Sequence, residues 1–437
     1  MSLNEKISKF FKFDELNTNM RTELVAGITT FATLAYIMIV IPNILSGIGM
    51  PREATTATII YMAFFGCMFM GLFANRPFAV APLLAEYVFL AYTIVPMFGD
   101  GEWQKAFGAV AIAAITLFVL TICNVRAWLV NCLPACMKYA FTAGLGLYLA
   151  FVGLKGAGIV QILEGNTTIG NFCDINVFLA ITGVVIIGAL TVKGVKVAML
   201  IGLIAVTALA LIFGQTVIPD TLISAPASIS PLFLKADIMG ALHIQYLPII
   251  FIILVLMFVD TMGTLIGVSA KAGFLDENGN LPEIKKPMLV DSISTMIASS
   301  MCAITSGVYL ESTTGVQAGG RSGLTAVLVG LLFLTGLFFS PLFGMIPSSA
   351  CNAVLIIIGI LMVSVIRQIN FDDMSEAIPA AITIFLMAFS SNIGVAVACG
   401  FILYPILKLI AGKKDELNIP VWILFVASCA FFVLYKF

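Results

Sequence analysis

Charge is what this sequence has least of: Lys, Arg, Asp and Glu together make up 10% of its 437 residues. A soluble domain carries about 25%, so a water-facing surface of ordinary size cannot be built from this chain. The 22 basic and 23 acidic residues nearly cancel, which removes any electrostatic footprint for nucleic acid. Histidine occurs once, at His243. A single imidazole cannot make a His-Glu-x-x-His zinc helix, and no Ser/His or paired-aspartate protease motif accompanies it, so an intramembrane enzyme is not expected. At the start of an apolar span, His243 fits a solvated interfacial position better than a proton relay. The nine cysteines (Cys67, Cys123, Cys132, Cys136, Cys173, Cys302, Cys351, Cys399 and Cys429) lack the close pairing of a zinc or disulfide framework and read as small buried hydrophobes. Asp276-Glu-Asn-Gly-Asn280 lacks the rest of a calcium loop and reads as a turn. No metal and no cofactor is expected. Nor does the N-terminus carry the short apolar core of a signal peptide; rich in Lys, Asp, Glu and Asn up to Arg21, it is expected to stay cytoplasmic.

Apolar residues are abundant: 61% of the chain, with a mean hydropathy of +1.10. Runs such as 197–213, 249–259 and 354–365 carry almost no charge over about 12–20 residues, the length needed to cross hydrocarbon. The chain therefore reads as an all-α polytopic membrane protein with the lipid bilayer as its solvent. Spans are predicted at 23–45, 55–74, 78–97, 106–123, 134–154, 174–191 and 195–214. After a Pro/Ser-rich connection, seven more follow at 245–268, 287–303, 306–318, 321–341, 347–366, 377–391 and 393–410. The last apolar run, 419–435, is either a further crossing or a peripheral helix. Basic residues in short loops, among them Arg76, Lys138, Lys193, Lys196, Lys285, Lys286, Lys413 and Lys414, fit a cytoplasmic N-terminus, with Arg367 the exception. The apolar faces suit lipid and partner helices equally well, which leaves a homodimer open.

Seven spans per half, joined by one long connection, imply two inverted repeats, 1–240 and 241–412, followed by a C-terminal apolar segment, 413–437. Each half has one broken span in the corresponding place. In the first, Pro77 and Pro82 bracket residues that cannot be mid-helix and read as extended. In the second, Thr305-Ser-Gly-Val-Tyr-Leu-Glu-Ser-Thr-Thr-Gly-Val-Gln-Ala-Gly-Gly-Arg321 interrupts the apolar pattern with Glu311 at its centre. A carboxylate at that depth costs roughly 3 kcal/mol and marks a substrate or proton pathway. Broken backbone is tolerated there only where it faces protein or water. Half-helix N-termini at such breaks are expected to aim free N–H groups at a ligand.

Further stretches carry a family likeness: Arg21-Thr-Glu-Leu-Val-Ala-Gly-Ile-Thr-Thr-Phe-Ala-Thr-Leu-Ala-Tyr-Ile37, Pro77-Phe-Ala-Val-Ala-Pro82, Phe258-Val-Asp-Thr-Met-Gly-Thr-Leu-Ile-Gly267, Glu311-Ser-Thr-Thr-Gly-Val316, Gly319-Gly-Arg-Ser-Gly-Leu-Thr-Ala-Val327 and Asn370-Phe-Asp-Asp373. With these in order over nearly its whole length, the chain resembles the azaguanine-like purine permeases of the nucleobase:cation symporter (xanthine/uracil permease) family. The resemblance implies about fourteen transmembrane segments in two inverted seven-segment repeats, core and gate domains, and short strands in the third and tenth segments. It also implies proton-coupled, elevator-type import of adenine, guanine or hypoxanthine across the cytoplasmic membrane, and a place for Glu311 and Asp260 in the substrate and proton machinery. A related carrier of xanthine, urate, uracil or an anion, or a sodium-coupled symporter, is the alternative.

The residues support that chemistry on their own terms. A purine is flat, neutral and edged with N–H donors, so a carboxylate acceptor and an apolar sandwich suffice to recognise it. Glu311 supplies the acceptor, and burial disfavours the charged form of a carboxyl, as a proton carrier requires. Asp260 is the second such group, and if close the two would titrate jointly. Tyr87, Ser312, Tyr309 and Phe31 complete the candidate substrate contacts, with Glu86 as a third candidate for proton coupling. Acidic binding residues favour a neutral, N–H-rich ligand over an anion. The chain departs from the family pattern in three places. Tyr87 stands for an asparagine with Glu86 beside it, Met257 stands for an acid three residues before Asp260, and Met387-Ala-Phe-Ser-Ser-Asn-Ile393 replaces a proline-aromatic-threonine-tyrosine stretch. These put the identity of the base in doubt. Glu86 could instead face the gate domain or a lipid headgroup.

Overall fold

A backbone that must satisfy itself in hydrocarbon has little choice but helix, and the computed structural model is helical almost throughout. It describes residues 3–99, 101–123, 125, 134–163, 166–274, 281, 283–390 and 393–434, leaving undescribed the side chains of residues 3, 259–263, 266, 271 and 434. The first half contains α1 (Leu3–Phe10), α2 (Met20–Leu34), α3 (Ile37–Ser46), α4 (Arg52–Leu72), β1 (Val80–Pro82), α5 (Leu84–Phe89), α6 (Val95–Phe98), α7 (Trp103–Ile122) and α8 (Ala135–Gly156). A hairpin of β2 (Val160–Leu163) and β3 (Asn166–Ile169) leads to α9 (Ile175–Val192) and α10 (Ala198–Ile212). After the connection come α11 (Ile238–Ala241), α12 (Leu247–Ala272), α13 (Lys285–Ser300), β4 (Ser306–Val308), α14 (Ser312–Gln317), α15 (Gly323–Thr335), α16 (Ser340–Gly344), α17 (Ser348–Val363), α18 (Met374–Phe389), α19 (Ile393–Ile410) and α20 (Ile419–Leu434). Among the described residues, eight helices are long and apolar enough to cross a membrane and five shorter apolar helices accompany them.

The helices sort into two packing groups, as expected of core and gate domains. In the core, α4 and α2 pack on α15, α7 on α13 and α12, and β1 on α4. In the gate, α8 packs on α17 and α18, α9 on α17 and α10, and α19 on α18 and α20. The core is centred on the two broken spans. β1 and β4 pair antiparallel with Val80 opposite Val308 and Pro82 opposite Ser306. Leu83 N–H to the Thr305 carbonyl (3.1 Å) and Tyr309 N–H to the Ala79 carbonyl (3.0 Å) extend the ladder at both ends.

Both outer edges of this two-stranded sheet are closed by side chains. The Cys67 thiol on α4 donates to the Val80 carbonyl (3.3 Å) and accepts its N–H (3.4 Å). On the far edge, the Thr295 hydroxyl of α13 donates to the Ser306 carbonyl (3.4 Å) and accepts its N–H (3.3 Å). Each group can both donate and accept, so one atom serves a whole residue of strand edge. α4 approaches β1 closely because residue 66 is glycine: a Cβ there would lie 2.9 Å from the Val80 carbonyl oxygen.

The first span runs from Met20 to Ser46 as expected, and at Ala35 and Tyr36, between α2 and α3, it tightens into a single turn without leaving helical backbone angles. The N-terminal segment is docked: Phe11 and Phe13 are buried against Leu324, and Asn75, at φ +47°, joins Phe11 and the start of α15 through its amide. Of the cysteines, Cys67, Cys136, Cys302 and Cys351 are buried as expected, whereas Cys123 and Cys173 are exposed. His243 is exposed. Cys132 and Asp276-Glu-Asn-Gly-Asn280 lie outside the described residues.

Candidate functional site

Because β1 and β4 run antiparallel and each feeds a half-helix, α5 and α14 begin at opposite ends of the sheet. Glu311 is the N-cap residue of α14 and partly exposed. Its Oε1 accepts a 2.9 Å hydrogen bond from the Tyr36 hydroxyl, which the turn joining α2 to α3 presents and which is itself buried. A charge-assisted bond of this kind fixes the carboxylate plane and leaves Oε2 for another donor. Beside it the hydroxyls of Thr33 and Thr314 lie 3.3 Å apart, and Thr314 also donates to the Glu311 carbonyl (2.7 Å).

The other candidate residues divide by what their polar atoms touch. Tyr309 donates to the Pro82 carbonyl (2.5 Å) and accepts the Leu84 N–H (3.2 Å), so its hydroxyl closes the start of α5. Tyr87 answers from α5, its fully buried hydroxyl accepting the Ile304 N–H (3.1 Å) before β4. The Ser312 hydroxyl accepts the Ala79 N–H (3.0 Å). All three cross from one broken span to the other. Phe31 packs edge to face on Phe333, with ring centroids 5.2 Å apart. Glu86 is fully buried on α5, which leaves a lipid headgroup no access to it. Asp260 lies on α12, which packs against β4 and α14, but its side chain is outside the described residues.

Free N–H groups at the half-helix starts were expected, and at α14 the structure differs: the N–H groups of Ser312, Thr313 and Thr314 are turned back onto the carbonyls of Tyr309, Leu310 and Glu311. At α5 the Leu84 N–H is taken by Tyr309. At α14 the polarity of the site thus rests on side chains. The residues missed by sequence reasoning are Tyr36, Thr33 and Thr314, together with two buried acids, Glu23 on α2 and Asp291 on α13. Tyr36 and Glu23 sit in one quoted motif, but nothing in their spacing joins them to a segment almost 300 residues away.

Two broken spans meeting in a short sheet, enclosed by a core group of helices and flanked by a gate group, define a polytopic carrier of the membrane rather than an enzyme. Solved structures share this architecture: the transmembrane domain of the cyanobacterial bicarbonate transporter BicA at a TM-score of 0.64 and 15% identity, covering 87% of this chain and 96% of that one, and SLC26A9 at 0.64 and 12%, covering 94% and 69%. The chain belongs to the xanthine/uracil permease family, whose model, described as "Permease family", matches residues 21–434. Its relatives include a putative permease of Methanocaldococcus jannaschii, 38% identical with 97% of both chains covered. The adenine permease AdeP of Escherichia coli is 39% identical over 97% of this chain and 96% of its own. The guanine/hypoxanthine permease PbuG of Bacillus subtilis is 35% identical over 98% and 99%.

Proposed function

We propose that this permease imports a purine nucleobase together with a proton, with Glu311 accepting N–H groups of the base and Asp260 and Glu86 sharing the proton-coupling role. The observation that carries the reading is the Glu311 carboxylate, held on one oxygen by Tyr36 at the junction of the two broken spans and partly open on its other side. The adenine and guanine/hypoxanthine permeases among the relatives support a purine. Tyr87, Tyr309, Ser312 and Phe31 then act around that carboxylate, the first three by fixing the two broken spans to each other.

Transport follows by movement of the core group against the gate group. The bond between Thr93, in the π-helical segment Leu90–Ile94 that joins α5 to α6, and Tyr148 on α8 (2.9 Å) links the two groups and would break on each cycle. The same reading takes residues 1–240 and 241–412 as inverted repeats in fourteen crossings with a cytoplasmic N-terminus. The matching roles of Cys67 and Thr295 at the two sheet edges support it.

The test is uptake of radiolabelled adenine and guanine in a transport-deficient host. Glu311→Gln is expected to abolish uptake with the protein still in the membrane, and undiminished uptake would remove Glu311 from the site. A protonophore should stop accumulation; accumulation that persists and follows sodium would replace the proton by sodium.

A further inference from the structure

α14 is six residues long, too short to hold a fixed position through its own backbone bonds. One stripe of α2 runs alongside it. At the start of α14 Tyr36, just past the end of α2, holds Glu311 (2.9 Å), and one turn on Thr33 meets Thr314 (3.3 Å). Opposite Thr30, residue 315 is glycine: a Cβ would overlap the Thr30 hydroxyl and lie 2.8 Å from the Ala26 carbonyl oxygen. Past the end of α14, the Arg321 guanidinium donates to the Val316 and Gly320 carbonyls (both 2.9 Å). There the fully buried Glu23, in the first turn of α2, collects four donors. Its Oε1 accepts the Arg321 N–H (2.9 Å), the Ser322 N–H (3.1 Å) and the Thr18 hydroxyl (2.7 Å). Its Oε2 accepts the Thr325 hydroxyl (2.5 Å). Residues 23, 26, 30 and 33 recur at helical spacing on one face.

We infer that α2 is a splint for α14 and that Glu23 is a positioning residue for Glu311, setting its height from the far end of a segment about 15 Å long. The carboxylate does so by fixing the connector between α14 and α15, while Tyr36 orients the group at the other end. The inference rests on the proposed role of Glu311 as the ligand to substrate. A buried carboxylate with four donors cannot give up one partner cheaply, so the connector has a single position, and misplacement of a binding group by about 1 Å is felt strongly.

The test is the KM of radiolabelled adenine and guanine uptake, with rates normalised to protein in the membrane. Glu23→Gln replaces one acceptor by a donor and is expected to raise KM about tenfold, and Glu23→Asp, which keeps the charge, to restore part of the loss. A KM unchanged in Glu23→Gln, with only the amount of protein or the maximal rate reduced, overturns the inference. If Glu23→Gln does not reach the membrane, Thr325→Val and Gly315→Ala decide: the first removes one donor and the second pushes α14 off α2, and each should raise KM. Loss of uptake in Glu311→Gln with normal KM in all the others removes the splint and keeps the site. Normal uptake in Glu311→Gln removes both.

Discussion

At the scale of single residues, the site depends on which hydroxyls are already spoken for. Tyr309, Tyr87 and Ser312 spend theirs on backbone groups of the opposite broken span, whereas the Tyr36 hydroxyl goes to the Glu311 carboxylate. Tyr36→Phe keeps the ring and its packing and deletes only that donor. A hydrogen bond to a charged group contributes about 1.5–3 kcal/mol, so KM for purine uptake is expected to rise about tenfold or more with the protein still reaching the membrane. An unchanged KM would show that the hydroxyl does not support the carboxylate. Glu311 was legible in the sequence because a carboxylate stands out among apolar residues. Tyr36 was not, being one of 10 tyrosines beside 34 phenylalanines, and its value depends on a partner that only tertiary structure supplies. Glu23 was hidden differently: near the start of a span it reads as an ordinary acid of a first helical turn, and burial alone distinguishes it.

At the scale of elements, the short sheet is the part most exposed to failure. An unpaired strand edge within a membrane leaves N–H and C=O groups unmet, and here Cys67 and Thr295 each close one edge. Thr295→Val removes both hydrogen bonds of that hydroxyl to Ser306 and should cost about 1–3 kcal/mol, read as a lower melting temperature in detergent, whereas Thr295→Ser should stay near the parent. Equal melting of the valine and serine variants would show that the edge needs no such closure. The first strand could be placed from sequence because Pro77 and Pro82 forbid helix, whereas glycines and Glu311 marked only a break in the second apolar run, and its strand was implied by the family resemblance. The tightened turn at Ala35 and Tyr36 could not: neither residue opposes helix, and the apolar pattern continues through Ile41. The β2–β3 hairpin was missed for a related reason, four-residue strands offering too few alternations to read.

At the scale of the whole molecule, the gate group is fastened at one end by ions. Lys408, fully buried on α19, bonds to Asp373 (3.3 Å), Glu376 (2.9 Å) and Glu416 (2.5 Å), and Lys413 reaches Asp373 (2.6 Å), so the chain leading into α20 is tied to α18. Lys413, then Ser375, hold the Asp373 carboxyl well below the usual carboxylate range. A carboxyl lowered on folding adds stability above its unfolded value, about 3.9, and loses it only as pH falls through the lowered value. Asp373→Asn is therefore expected to reduce the melting temperature by the same amount at pH 5 and pH 8. A loss that differs between those pH values would show that the cluster titrates between pH 5 and pH 8. Composition announced the membrane and the pattern of spans, but the two packing groups are a matter of which helices touch, and an apolar surface suits any partner.

The pairing of β1 with β4 also sets an order of events in biosynthesis. Residues 80–82 leave the ribosome long before residues 306–308 exist, and at about 5–20 residues per second the interval is on the order of tens of seconds. Throughout it the first broken span has a strand without its partner, so it cannot rest in lipid as a finished crossing. It must wait in water, in the insertion machinery or in a provisional helical form until the second half arrives. Closure of the sheet is then the event that commits both halves of the chain to one another.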